Sequence, residues 1–419
     1  MGAAREVIAI PGNPGIAREA RCVPSASDVE SLSKATISQR PDLVVVGPEA
    51  PLAAGLADRL HAAGIVAFGP TAAAAQIEAS KSFAKDVMRA AGVPTPTCEA
   101  FSDPQAARDC ARRLGACVVK LDGLAAGKGV VVCDDAEAAV HAVDELLALW
   151  RATSSLARGT SAVGDGLKIL VEEKIAGPEL SVIALCDGER ILVLPPARDH
   201  KRLLEADRGP NTGGMGAVSP PPDATPALLD EVARTIFLPT IRELHRRGTP
   251  FRGALFAGLM LTKSGLRVLE FNCRLGDPEA QAILLRLRGD ILPLLEACAT
   301  GTLSEVHQLD VDPRVAVAVV LAAHGYPEAP RAGDPIFGLD LAQGDALALF
   351  HAGTRAQTLA GGGGAHDAIV TSGGRVLTLC ALGQDLGDAR ARAYAAAETV
   401  TFAGRQLRRD IGATGIHAS

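Results

Sequence analysis

Aromatic side chains make up only 3% of the 419 residues. A sugar-stacking surface is therefore unsupported, and Ala, Val, Leu and Ile must fill the core. Cysteines are present but unpaired in pattern: nine are scattered, none as CxxC, and the number is odd. That spacing argues against a disulfide framework and a cysteine-rich zinc site, and predicts free thiols in a reducing cytoplasm. Basic residues are outnumbered, 42 Lys and Arg against 48 Asp and Glu, for a net charge of −6. No bulk attraction for nucleic acid or an anionic membrane follows, so an anionic substrate needs a local basic site. No uncharged apolar run reaches the roughly 18 residues of a membrane span. The opening Met-Gly-Ala-Ala-Arg-Glu has no basic stretch leading into an apolar run, so no secretory signal is expected. No convincing Ser/His/Asp or Cys/His set stands out for nucleophilic catalysis.

What is present is ordinary globular material, 48% hydrophobic and 21% charged, in a chain long enough for roughly two to four domains. The beginning reads as α/β. PDLVVVG (41–47) is a short buried strand, Leu52, Leu56 and Leu60 recur at helical spacing, and Ile65 to Phe68 is a second strand closed by Gly69-Pro70. Ser80 can cap a helix over 81–91, and Gly92-Val-Pro-Thr-Pro96 reads as a hinge. The middle is richer in strands: 117–120, 130–133, 168–173, 180–186, 190–194, 256–262 and 266–271, with a helix near 136–150 and a mobile polar segment at 154–166. Toward the end, 315–323 and 375–382 read as strands, Gly361 to Gly364 as a loop, and 388–400 as a helix.

Five clusters can carry chemistry. Lys120 and Lys128 flank glycines 123, 127 and 129 in LDGLAAGKG (121–129). This is no Walker A loop, since three residues separate Gly123 from Gly127 and Gly129 replaces Ser or Thr. It is a strand–loop–strand element whose tip can close on phosphates, or else a plain hairpin with solvated lysines. Glu270 and Asn272, two apart on a strand, share a face and present hard oxygens suited to Mg²⁺, with Phe271 turned away; an ordinary strand end has the same pattern. Arg274, Asp277 and Glu279 follow, as an anion- and amine-binding set or as a polar turn before a helix at 279–287. Asp199-His-Lys201-Arg202 can clamp an anion or be a solvated turn, while Gly209 to Gly216, with four glycines in eight residues, allows close approach. Glu172, Glu173 and Glu179 at strand ends offer carboxylates to a ribose. A glycosidase pair would leave both lysines and the Glu-x-Asn pair unused.

In order, VGPEAPLAAG (46–55), FGPT (68–71), SKSFAKDVM (80–88), VVKLDGLAAGKGVVV (118–132), VEEKIAGPELS (171–181), DHKR (199–202), GPNTGGMG (209–216), LEFNCRLGDPEAQ (269–281), HAGT (351–354), GGRVL (373–377) and RRDIG (408–412) resemble one family. The set is similar to the phosphoribosylamine–glycine ligases of the ATP-grasp superfamily, from about residue 9 to 412. The resemblance implies α/β and α+β structure: a pre-ATP-grasp α/β domain over 1–79, truncated at its first strand, an ATP-grasp core over 80–307 with a mobile lid at about 97–174, and a mixed α+β C-terminal domain over 308–419. It implies ATP-dependent ligation of glycine to 5-phosphoribosylamine through glycyl phosphate in a cytoplasmic monomer, with Mg²⁺ or Mn²⁺ and with neither nucleic acid nor membrane as partner.

Residue by residue, the resemblance matches Lys81 and Lys120 to phosphate-binding lysines, and Gly123, Gly127, Lys128 and Gly129 to the lid loop. Glu172, Glu173, Lys174 and Ile175 match the adenine hinge, Glu179 the ribose carboxylate, and Glu270 and Asn272 the metal ligands. Lys201, Arg274 and Asp277 fall to catalysis, and Asn211, Thr212, Gly213, Gly214 and Met215 to the substrate loop. Three departures are visible. The family's opening strand and GGREHA-like loop are expected to be missing before MGAAREVIAIPGNPG, with a misassigned start as the expected cause. Lys174 replaces an aromatic residue, and Leu275 and Ala280 replace Phe and Thr. Another ATP-grasp carboxylate ligase, or a nucleotide-binding homologue without turnover, remains open at this stage.

Overall fold

The computed structural model describes residues 4–124, 129–156, 166–304, 307–340, 344, 346–361 and 364–413. Gly127 and Lys128 lie outside them, as does most of the 154–166 segment.

The first region is the expected strand–helix–strand unit. Leu43–Val45 pairs in parallel with Val66–Phe68, Leu43 opposite Val66. The single helix expected from Leu52, Leu56 and Leu60 is two, Glu49–Ala53 and Leu56–Ala62. Gly55 between them sits at φ 84°, a left-handed conformation that stops one helix and starts the next at little cost for glycine. All three leucines are still buried, because the break keeps the apolar stripe in phase. Residues ahead of this unit add one short parallel pair, Ile8–Ala9 with Arg21–Cys22.

The helix Lys81–Ala91 forms as its sequence dictates. Ser80 Oγ accepts from the N–H of Phe83, and Gly92 closes the other end in the left-handed region. Two four-stranded antiparallel sheets follow. The first has the order Cys98–Phe101, Ile169–Glu173, Cys117–Leu121, Val130–Cys133. One of its faces packs under the helices Pro104–Leu114 and Ala136–Leu156, through Cys117, Val119, Ile169 and Val171.

The second sheet has the order Ile191–Val193, Glu179–Asp187, Arg252–Thr262, Gly265–Asn272. It is covered on both faces, which explains why LSVIALC (180–186) is apolar but for Ser181 rather than alternating. Val182, Ala184 and Cys186 join the cluster shared with the helix Lys81–Ala91. Ile183 and Leu185 join the opposite cluster, under the helix Leu292–Thr300.

A five-stranded sheet orders Arg198–Asp199, Gly216–Ser219, Val315–Ala322, Arg375–Gly383 and Leu347–His351. It draws strands from both sides of residue 308. The helix Leu386–Thr399 lies on it through Ala389, Ala393, Ala396 and Ala397; these small side chains permit a close approach. Of the glycine loop expected at 361–364, Gly361 and Gly364 are the last paired residues of the antiparallel strands Thr354–Gly361 and Gly364–Thr371, and residues 362 and 363 lie outside the described residues.

Candidate active site

Strand register assembles the charged centre. Cys117–Leu121 runs antiparallel to Ile169–Glu173 with Val118 opposite Glu172 and Lys120 opposite Leu170. Lys120 and Glu172 are thus diagonal neighbours on one face, and Lys120 Nζ donates to Glu172 Oε1 at 2.6 Å. Both are buried, Lys120 at 7% and Glu172 at 1% exposure. A second lysine, Lys85, pairs with the other oxygen of the same carboxylate.

The Glu-x-Asn strand lies as its two-residue period requires. Phe271 is buried in the core, and Glu270 and Asn272 share the other face. The pairing shifts between Gly258 and Leu259, opposite Glu270 and Val268 respectively, so Leu269 is an inserted residue. This bulge leaves the Leu269 carbonyl out of the ladder, and it accepts from Lys120 Nζ at 3.3 Å. Burial, the largest influence, would raise the Glu270 carboxyl, but Lys201, Lys120, Lys81 and Arg274 together hold it below the ordinary range.

Lys81 Nζ donates to the Gly123 carbonyl at 2.9 Å, tying the helix start to the lysine loop. Burial pulls Lys81 below its ordinary value, opposed by Glu270 and Asp122. Asp122 braces the same junction by accepting from the N–H of Ser82 (3.2 Å) and the hydroxyls of Ser80 (3.2 Å) and Ser82 (2.5 Å). The Gly129 carbonyl accepts from Leu121 N and closes the base of the loop. Lys201 Nζ lies 2.8 Å from Glu179 Oε2 and 3.8 Å from Glu270 Oε1. Burial would depress Lys201, but Glu179, Glu270 and Asp199 outweigh it and hold it above its ordinary value. The expected ribose carboxylate and metal carboxylate therefore share one cation.

Other expected residues are placed differently. Arg274 reaches Glu49 (3.2 Å) and Glu78 (3.4 Å) from the first region, and Asn272 Oδ1 (3.4 Å). Glu78 also accepts from Cys273 N at 2.7 Å, so the arginine and its neighbour fasten the first region to the second sheet. Asp277 is paired with Arg375 at 2.9 Å. The same guanidinium donates to the carbonyls of Asp277 (2.6 Å) and Gly213 (2.5 Å). Glu279, which opens the helix Glu279–Leu285, is buried and accepts from Ser181 Oγ at 2.8 Å. Glu173 accepts from Thr97 N at 3.4 Å. Exposed Lys174 pairs with Asp134, and Ile175 is half-buried in the loop beyond.

Within the glycine-rich segment, Thr212 donates to the Lys201 carbonyl at 2.8 Å, and Gly214 N donates back to Thr212 Oγ1 at 3.0 Å. A side chain at Gly214 would meet Asp199 and Pro278 within 2.6 Å, so glycine there lets three segments converge. Met215 is fully buried, and its N–H and C=O are spent on His200 and Val320. The fold therefore gives it to the core rather than to a ligand surface. Asn211, Thr212 and Gly213 line a cleft of about 520 Å³ with Arg202, Val130 to Val132 and Tyr326 to Glu328. None of Lys81, Lys120 and Glu270 lines this cleft, so it adjoins the charged centre without containing it.

Comparison with known proteins decides the family. Residues 2–78, 79–280 and 316–414 match the N domain, the ATP-grasp (A) domain and the C domain described as phosphoribosylglycinamide synthetase. The phosphoribosylamine–glycine ligase of Streptomyces coelicolor is 47% identical over 412 residues, covering 96% of this chain and 91% of that one. The chain belongs to the phosphoribosylamine–glycine ligase family. Another member, from Caulobacter vibrioides, is 44% identical over 409 residues, covering 97% of this chain and 91% of the relative. The crystal structure of the family member from Thermotoga maritima superposes with a TM-score of 0.79 at 32% identity, covering 97% of this chain and 94% of that one. The biotin carboxylase domain of Hydrogenobacter thermophilus 2-oxoglutarate carboxylase, with a TM-score of 0.69 at 17% identity over 96% of this chain and 86% of that one, shares the ATP-grasp fold. The α/β and α+β architecture with N- and C-terminal units is that of the family.

Proposed function

We propose that this chain joins glycine to 5-phosphoribosylamine in purine biosynthesis, forming a C–N bond at the expense of ATP. The observation that carries the site assignment is the crowding of Lys81, Lys120 and Lys201 around Glu270, cations placed where a polyphosphate can engage them. Glycine's carboxylate is a poor electrophile and must be activated. Its oxygen attacks the γ-phosphorus, the bond to the β–γ bridging oxygen breaks, and glycyl phosphate and ADP form. The nitrogen of phosphoribosylamine then attacks the acyl carbon, phosphate leaves with the C–O electron pair, and the nitrogen loses a proton. Lys81 and Lys120 hold the transferring phosphoryl oxygens, and the loop 123–129 closes over them to keep water from the acyl phosphate.

A divalent cation fits Glu270 and Asn272, two hard oxygens on one face beside the lysines. When bound, it neutralises charge on the β- and γ-phosphates; Mg²⁺ is our assignment, with Mn²⁺ as a substitute. Glu179 is assigned to the ribose, the backbone of residues 172–175 to the adenine, and Arg274 and Asp277 to the substrate end. The cleft at Arg202, Asn211, Thr212 and Gly213 is assigned to the amino sugar, with Gly214 admitting the close approach of its neighbours. We assign 80–307 to the nucleotide-binding core, 97–174 to a lid swinging on 92–96, and 1–79 and 308–419 to flanking domains. The cytoplasm and a monomeric state complete the reading. Nine cysteines without a disulfide accord with a reducing compartment, and no helix among the described residues is long and apolar enough to cross a membrane.

The test is ADP release across a panel of carboxylates, with and without phosphoribosylamine. Glycine should be preferred, and phosphate release should require the amine. A clear preference for another acid, or ATP binding without amine-dependent phosphate release, would overturn the assignment.

A further inference from the structure

Lys85 is a buried charge that the reaction above leaves unused. It sits one turn after Lys81 on the face of the helix that also buries Ala84, Val87 and Met88. An unassisted lysine there would be costly. Its Nζ pairs with Glu172 Oε2, donates to Thr95 Oγ1 at 2.6 Å and lies 3.4 Å from the Pro96 carbonyl. Thr95 Oγ1 in turn donates to the Val268 carbonyl at 2.8 Å. Glu172 thus has one ammonium on each oxygen, Lys85 on Oε2 and Lys120 on Oε1.

We propose that Lys85 is a positioning residue for nucleotide binding, holding Glu172 so that Lys120 keeps a free N–H for the phosphates. This rests on the reading that Lys120 faces ATP. One carboxylate between two ammonium groups leaves the trio with one net positive charge. The other direct partners described for the trio are neutral: a hydroxyl and the carbonyls of Pro96 and Leu269. Two of the three N–H groups of Lys120 go to Glu172 and Leu269, which leaves one for a ligand. Without Lys85, Glu172 would have Lys120 alone to satisfy both of its oxygens. A neutral, closed ion pair would then replace a cationic trio, and ATP would have to break it. Because Thr95 and Pro96 belong to the 92–96 segment, the same lysine also ties that segment to the charged face.

The experiment is calorimetric titration of the full chain with ATP·Mg, ADP·Mg and adenosine, alongside KM for ATP and glycine. The proteins are wild type, Lys85→Met, Lys85→Arg and Lys85→Met/Glu172→Gln. Lys85→Met should weaken ATP and ADP about tenfold or more while adenosine affinity and the KM for glycine stay within about twofold. Lys85→Arg should recover most of the loss. Adding Glu172→Gln should recover part of it, because a neutral amide no longer captures Lys120. Unchanged ATP binding in Lys85→Met would overturn the inference, as would equal weakening of adenosine or a double variant worse than the single. If Lys85→Met does not fold, Thr95→Val carries the test, with about threefold weaker ATP and unchanged adenosine expected; equal weakening of both would overturn the inference. Wild type that binds no ATP would overturn the functional reading itself, a separate outcome.

Discussion

The two four-stranded sheets are both antiparallel and are opposite in construction. The second sheet is buried on both faces, and its larger cluster includes Phe237, Phe251 and Phe271. The first has one packed face, whose buried members are Ala, Cys, Val, Leu and Ile with no aromatic residue among them. Its other face carries Lys120 and Glu172, charged yet shielded. The thicker sheet presents hard oxygens at Glu270 and Asn272, and the thinner one presents cations. A nucleotide lying between them, as proposed above, would meet the oxygens of Glu270 and Asn272 on one side and the ammonium of Lys120 on the other.

The sharpest way to break this comparison is to remove one member from each sheet. Lys120→Ala and Glu270→Ala should each lower kcat about a thousandfold or more, with the thermal midpoint changing little in Glu270→Ala and falling in Lys120→Ala, which strips one oxygen of buried Glu172 of its partner. Near-normal turnover in either would show that the phosphate or metal site is misplaced. Next in size is the packing contrast. Ile183→Val in the second sheet should cost about 1.5 kcal/mol of stability, against about 0.5 kcal/mol for Ile169→Val in the thinner sheet, both side chains being fully buried. Denaturant melts of both variants read this directly, and similar losses would mean the two cores are equally dense.

Ser80→Ala, at the junction of the sheets, should cost about 1 kcal/mol through the lost helix cap. It should also raise the KM for ATP, since Asp122 loses one of its anchors. The smallest effect lies outside both sheets. Burial, with Arg18 adding to it, lowers His351 from 6.5 to about 4. The unfolded chain then binds the extra proton between those values, so stability is full above pH 6.5 and falls as pH drops toward 4. Melting wild type and His351→Gln across that range should show a flatter dependence in the variant.

Much of this was legible from local rules. The capped helix after Ser80, the parallel unit around Leu43 and Val66, and the shared face of Glu270 and Asn272 all follow from short-range sterics and period. Other features depend on partners distant in sequence. The break at Gly55 is invisible to an apolar stripe that continues through it. The inserted Leu269 is set by pairing with Gly258 and Leu259, which strand periodicity cannot express. Lys85 carried a signal, a lysine on the apolar side of an amphipathic helix, but its partner lies 87 residues away. Met215 looks available inside a glycine-rich run, yet strand pairing on either side of it draws it into the core.

The five-stranded sheet has a consequence for any attempt to dissect the molecule. Gly216–Ser219 is flanked on one edge by Arg198–Asp199 and on the other by Val315–Ala322. A scissor cut near residue 308 would pull away the second of these neighbours, baring a hydrogen-bonding edge directly beneath the segment that ends in Gly216. The tail is therefore masonry for the strand that follows the glycine-rich segment rather than an annex to it, and a front fragment cut there would lose that support.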